Sequence, residues 1–159
     1  MLSLGACVVG NPECNFYKEF APTTEKFVAE AMAVSKLDIT LLKSSGSKPE
    51  QGMLEFKEWI LQNSRDCLPV FVGFNAPFDW SFVNYYFHRY HGENPFGFSA
   101  LDTKALFMGA TGSSWNDTRS SRMKKVLGIE SDLTHQALDD AIAQAALFER
   151  VLAKAREGK

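Results

Sequence analysis

The sequence has little of several things. Its apolar opening, MLSLGACVVG (Met1–Gly10), has no Lys or Arg ahead of it and is far shorter than a membrane span. It ends on Gly10, Asn11 and Pro12, turn residues rather than a small-residue cleavage site, so a signal peptide is disfavoured. No later stretch is long enough to cross a membrane either. Cysteine is scarce: Cys7, Cys14 and Cys67 form an odd set without CxxC spacing, which points to neither a disulfide framework nor a zinc site. Reduced thiols in a cytoplasmic protein are the simplest account. Excess positive charge is missing too. A formal net charge of −2 argues against coating nucleic acid through bulk charge, but not against holding a few nucleotides through metals and local contacts. There is no internal repeat.

What is present suits a single domain over residues 1–159. The apolar fraction is 45%, the charged fraction 23%, and thirteen phenylalanines supply large core side chains. The loose alternation of Leu2, Leu4, Ala6 and Val8 reads as a strand, and Asn15–Phe20 as its antiparallel hairpin partner, ended by Ala21-Pro22. Helical spacing at Phe27, Ala31 and Val34 predicts a helix over 24–37. Lys43–Gly52 reads as a surface loop, and the stretch after it as an amphipathic helix with Leu54, Trp59 and Leu61, and Phe56 and Ile60 between. Leu68–Phe74 reads as a central strand. Asn75 then fits an N-cap and Pro77 a first turn, with Phe78, Phe82, Tyr85 and Tyr86 on one face of the helix. SALDTKALF reads as a strand running into a helix, and TRSSRMKKVLG as a basic helix closed by Gly128. Thr134 is expected to cap a last helix from about His135 to Arg156, with Leu138, Ala141, Ile142, Ala145, Phe148 and Leu152 as its core stripe. This order predicts an α/β fold, a mixed sheet flanked by helices.

Two stretches carry candidate chemistry. Asp79 lies one turn into a helix that follows a buried strand, where open α/β sheets place their ligands; alone, it is better read as a carboxylate complementing the helix dipole. His135, Asp139 and Asp140 cluster at another helix start, as a base with metal ligands or as ordinary helix-terminal polar groups. The two aspartates flank the apolar stripe about equally, so periodicity does not choose between them.

Together the two stretches are more specific. NAPFDWSF with THQALDDA further along resembles motifs II and III of the DEDDh 3′–5′ exonucleases, the superfamily of the epsilon subunit of DNA polymerase III and of RNase T. Motif II, approximately H-N-A-x-F-D-x-x-F, is matched by Asn75, Ala76, Phe78, Asp79 and Phe82, with Phe74 in place of the usual first His. Motif III, H-x-A-x-x-D, is matched by His135, Ala137 and Asp140. The NAxFDxxF match favours these proteins over oligoribonuclease, a sister family. The resemblance covers nearly the whole chain and implies a ribonuclease H-like domain that hydrolyses terminal phosphodiesters of single-stranded DNA or RNA with two Mg²⁺ or Mn²⁺ ions, hard cations suited to carboxylate oxygens. It assigns Asp79 and Asp140 to the metals and His135 to the general base, a task that suits an imidazole titrating near neutrality. Asn75, Phe78 and Phe82 would shape the pocket for the terminal nucleotide, Phe82 equally serving as core. Motif spacing selects Asp140 over Asp139, and Asp102 falls at a position with a structural role. Arg119, Arg122, Lys124 and Lys125 read more readily as a solvated basic face than as contacts to a nucleic-acid backbone. A polymerase subunit or a second copy of the chain is a possible partner.

The family's motif I, D-x-E on the first strand, supplies two further acids, and no aspartate of this chain has Glu two positions on. MLSLGACVV instead matches the family's second strand. Two accounts follow. Either the protein extends upstream of Met1 and regains motif I, or it is a natural derivative without the full metal site. The first is favoured, because losing a central strand leaves backbone groups unpaired and apolar faces uncovered. The 159-residue chain is expected to have weak nuclease activity or none, the alternative role being a catalytically silent module that binds nucleic acid or protein.

Overall fold

A computed structural model describes residues 1–129 and 136–157, apart from the side chain of Ala31. Strands β1 (Ser3–Val8) and β2 (Asn11–Glu19) form an antiparallel hairpin that sets Gly5 opposite Tyr17, and its register slips between Cys7 and Val8. Gly10 takes φ +81 at the turn, a left-handed conformation that glycine adopts without a Cβ penalty. Beyond β2, Phe20 makes an isolated parallel bridge with Ser47.

The helix expected over 24–37 is confined to α1 (Ala29–Ser35), and Phe27, Val28 and Val34 are exposed, so their helical spacing faces no core. A short helix α2 (Ile39–Ser45), which the sequence analysis does not place, is started by Asp38, whose carboxylate accepts from the amides of Thr40 and Leu41. The loop expected over 43–52 is shorter than proposed, because α3 (Pro49–Ser64) opens on Pro49, whose missing N–H has no partner to lose in a first turn. The buried face of α3 is Met53, Phe56 and Ile60; Leu54 and Leu61 are exposed.

Strand β3 (Phe71–Gly73) is shorter than the expected 68–74, with Leu68 and Val70 exposed on either side of Pro69, which has no amide to give a ladder. It pairs in parallel with β4 (Ala100–Asp102), Val72 opposite Leu101. Between them runs α4 (Ala76–His91), with Pro77 in its first turn and Gly92 at its left-handed end. Asn75 precedes α4 in the left-handed region, φ +61, and makes no side-chain cap, so the proposed Asn75 cap is a backbone turn instead. The buried face of α4 is Ala76, Val83, Tyr86 and Phe87; Phe78, Phe82 and Tyr85 are exposed.

After β4 come α5 (Thr103–Thr111), a 3₁₀ turn (Trp115–Thr118), α6 (Ser120–Leu127), closed by left-handed Gly128 as expected, and α7 (Ala137–Glu157). The expected cap Thr134 and residue His135 lie outside the described residues. The deeply buried residues of α7 are Leu147, Phe148 and Val151, so its core stripe is displaced from the one proposed, and of those six residues only Phe148 is fully buried.

Small sheets flanked by helices make the fold mixed α/β. Among the described residues the strands form two separate pairs, β1–β2 and β3–β4, rather than one sheet. Two cores accompany them. One joins Leu4 and Phe20 to α3 and α4, with Phe56 stacked between Trp59 (5.9 Å) and Phe87 (5.7 Å). The other packs Phe107, Met123, Leu147 and Val151 where α5, α6 and α7 meet. No described helix is long and apolar enough to cross a membrane.

Candidate active site

The site is organised where β3 and β4 end and their helices begin. Asp102, the last residue of β4, accepts from the Ala76 amide at 2.6 Å through Oδ2 and from the Ala105 amide at 2.8 Å through Oδ1. One carboxylate thus satisfies exposed amides at the starts of both α4 and α5. This fixes the first turn of α4, which carries Phe78 and Asp79. Opposite, α7 is tied to both strand pairs. The Cys7 thiol donates to the Ala141 carbonyl at 3.7 Å, and the Phe74 amide donates to Gln144 Oε1 at 3.1 Å. Gly5 permits the approach of α7 to β1, since a Cβ there would overlap the Ala137 carbonyl and the Leu138 amide.

Between the two strand pairs lies a cavity of about 1210 Å³ whose walls include Asp79, Asp140, Phe78 and Phe82. Residues from α4 and α7, distant in sequence, thus share one cavity. Asn75 does not line it and is exposed on its left-handed turn; Asp139 is also exposed and off the wall, whereas Asp140 is half-buried. His135 lies outside the described residues. Phe78 and Phe82 are 62% and 41% exposed and meet edge to face, with ring centroids 5.2 Å apart, so they form an open aromatic platform beside Asp79 rather than core.

Asp79 has solvent on one side but sits in a concave wall. The surrounding protein mass raises its carboxyl above the usual carboxylate range, with a backbone hydrogen bond opposing the shift. A raised carboxyl pKa means that negative charge here lacks full compensation, a situation that a bound cation would relieve. Among the described residues, no group of three His, Cys, Asp or Glu side chains is placed to hold a metal. Asp79 and Asp140 offer hard carboxylate oxygens on one cavity wall, fewer than a two-ion set takes.

The sequence analysis did not single out Thr103. It lines the same cavity, is 1% exposed, and its hydroxyl is the buried side-chain polar atom without a partner among the described residues. Its place directly after Asp102 at a strand–helix junction is the signal that could have found it. On α6, Met123 is buried while Arg119, Arg122 and Lys125 are exposed, and Arg122 Nη1 pairs with Asp117 Oδ1 at 2.5 Å. Lys104 stands over the Trp115 ring at 4.1 Å.

A family model described as Exonuclease, RNase T, matches residues 3–148. The chain is 48% identical over 162 aligned residues to the 3′-5′ DNA exonuclease Cap18 of Escherichia coli, covering 100% of this chain and 85% of the relative.

Proposed function

Since the chain belongs to the RNase T exonuclease family, we propose that its cavity is the site of a 3′-to-5′ exonuclease acting on single-stranded DNA ends. The choice of DNA follows the activity named for the Escherichia coli relative. The observation that carries the reading is that Asp79, Asp140, Phe78 and Phe82 line one cavity. The two aspartates would hold a divalent cation, Mg²⁺ or Mn²⁺, and orient it toward a phosphate entering from solvent. When bound, such ions activate water and stabilise the leaving oxygen. Phe78 and Phe82 would stack on the terminal base, a contact that tolerates any sequence because every base has a π-face. His135 is the proposed base that takes the proton of the attacking water.

Without D-x-E, the 159-residue chain has too few carboxylates for two ions, and its nuclease activity is weak or nil. The test is Mg²⁺- or Mn²⁺-dependent degradation of a labelled single-stranded DNA by this chain and by a version carrying an added N-terminal D-x-E segment. Slow or absent release from the first and ready release from the second supports the reading; robust degradation by the 159 residues alone overturns the proposed inactivity. An extended version as active with Asp140→Asn as without it removes Asp140 from the site. The shortage of metal-ligating clusters among the described residues also favours a second reading, a silent module that binds single-stranded nucleic acid. For that reading, DNA binding by the chain would persist without divalent ions, and adding D-x-E would restore no cleavage.

A further inference from the structure

A second aromatic and basic surface lies outside the cavity, around the 3₁₀ turn that follows α5. Trp115 opens that turn, is 54% exposed and does not line the cavity. Tryptophan is highly buried on average, yet here the structure fixes the backbone beneath an indole left in water. Ser114 and Asp117 bond reciprocally around the turn, and Arg122 braces Asp117 from α6. The hydroxyl of fully buried Thr118 donates to the Trp115 carbonyl at 2.7 Å. An exposed ring on a fixed turn is organised for contact before a ligand arrives.

Cations gather at the same place. Lys104 Nζ stands 4.1 Å from the Trp115 ring centroid and 5.8 Å from that of Phe74. Ser120 and Lys124 of α6 border the same Phe74. From α5 to α6, residues 103–127, there are five Lys and Arg against one acid, Asp117, in a chain whose net charge is −2. That acid is engaged by Ser114 and Arg122. Lys104 and Arg119 have no carboxylate partner among the described residues. The surface also adjoins the site. Lys104 follows Thr103 of the cavity wall, Phe74 precedes Asn75, and the Asp102 carboxylate holds the starts of both α4 and α5.

We infer that Trp115 and Lys104 form a second contact for single-stranded DNA, holding a base and its phosphate upstream of the 3′-terminal nucleotide. Lys104 covers part of the indole, a base stacks on the part left exposed, and Lys104 and Arg119 reach the neighbouring phosphates. An acidic peptide would pair with the cations and leave the indole in water, whereas a nucleotide strand offers a π-face and a phosphate at every step. The inference rests on the cavity as the site of a DNA 3′ end only for the direction of the strand.

The test measures binding of a twelve-residue oligothymidylate and of a thymidine dinucleotide to the 159-residue chain in metal-free buffer. Trp115→Ala should weaken the long strand by about fivefold or more and leave the dinucleotide unchanged. Trp115→Phe, which keeps a stacking ring, should recover most of the loss. Lys104→Gln should reduce the slope of log affinity against log salt by about 1. Unchanged binding of the long strand by Trp115→Ala and an unchanged salt slope in Lys104→Gln would overturn the inference. An equal loss for the dinucleotide would also overturn it, by placing Trp115 in the terminal pocket. So would a loss confined to the matching oligouridylate, or a dimer in sedimentation that Trp115→Ala dissolves, which makes a second copy of the chain the occupant. The cavity reading fails separately. If a version with an added D-x-E segment cleaves nothing while Trp115→Ala still weakens the long strand, the second contact stands and the exonuclease reading falls. Cleavage by that version, with long-strand affinity indifferent to Trp115, gives the reverse.

Discussion

Strand β1 separates two regions built from similar residues with opposite outcomes. On one side, Phe20, Met53, Tyr86 and Phe87 form a core closed to solvent. On the other, Phe78, Phe82 and Leu101 are exposed around an open cavity, whose wall Leu4, Phe56 and Val83 of that core also reach. Apolar character does not distinguish the two. The closed side has its backbone paired through the hairpin, and its helices bring rings into contact, with Phe16 and Phe56 at 5.0 Å. On the open side, the second edges of β1 and β3 have no strand partner among the described residues. Hydrophobic surface makes a core only where backbone partners let the elements close on one another.

The most severe way to break the comparison is to separate α7 from β1, since their contact holds both regions together. Gly5→Val places side-chain atoms inside the Ala137 backbone, and backbone cannot relax as a flexible side chain can. A loss of about 3 kcal/mol or more is expected, read as a lowered denaturation midpoint or failure to fold. Matched truncations then sharpen the contrast. Phe87, 0% exposed and stacked on Phe56, should lose about 3–5 kcal/mol on change to Ala. Phe82→Ala, on the cavity wall, should lose less than about 1 kcal/mol, because the side chain already contacts solvent. Equal losses in chemical denaturation would mean that the cavity is closed in solution and the comparison false.

A smaller effect is expected at Asp102. Removing its carboxylate in Asp102→Ala leaves two helix-start amides without their acceptor, at a cost of about 2 kcal/mol. Asp102→Asn keeps one carbonyl acceptor and should recover part of that loss.

Much of this was legible in the residues themselves. The hairpin, α4, the β4–α5 junction and α6 follow from local signals such as turn glycines, Pro77 in a first turn and Gly128 past a last one. Asp79, following a strand into a helix, read alone as a carboxylate complementing the helix dipole; the resemblance to motifs II and III marked it, and chose Asp140, which lines the cavity, over its exposed neighbour. The faces of the helices were less legible. In α3 and α4 nearly every turn carries an aromatic or aliphatic residue on more than one side, so spacing alone cannot say that Phe87 is core while Phe78 and Phe82 are open. The split into two strand pairs was hidden for a different reason: alternation marks a strand without naming its neighbours, and pairing is a long-range property. Thr103 escaped because a threonine at a helix start is ordinary until its burial is known.

The smallest expected effect tests the charge on the open side. Burial in the cavity wall raises the Asp79 carboxyl above its ordinary value, so over the range between the two values the folded chain holds this proton more tightly than the unfolded chain. Stability from this group is therefore greatest at low pH, where both states are protonated. It falls as pH rises through the folded-state value, and the penalty remains in full above it. Asp79→Asn should abolish the dependence. In metal-free buffer the variant and the parent should match below the ordinary carboxylate range, and the variant should become the more stable as pH rises. Because the group is partly screened by solvent, the difference at neutral pH should be on the order of 0.5 kcal/mol. Denaturant midpoints measured across the acid-to-neutral range read it directly. A variant that instead became the less stable toward neutral pH would show that the Asp79 carboxylate is stabilised by a partner. The open cavity would then already be compensated electrostatically, as the closed core is by packing.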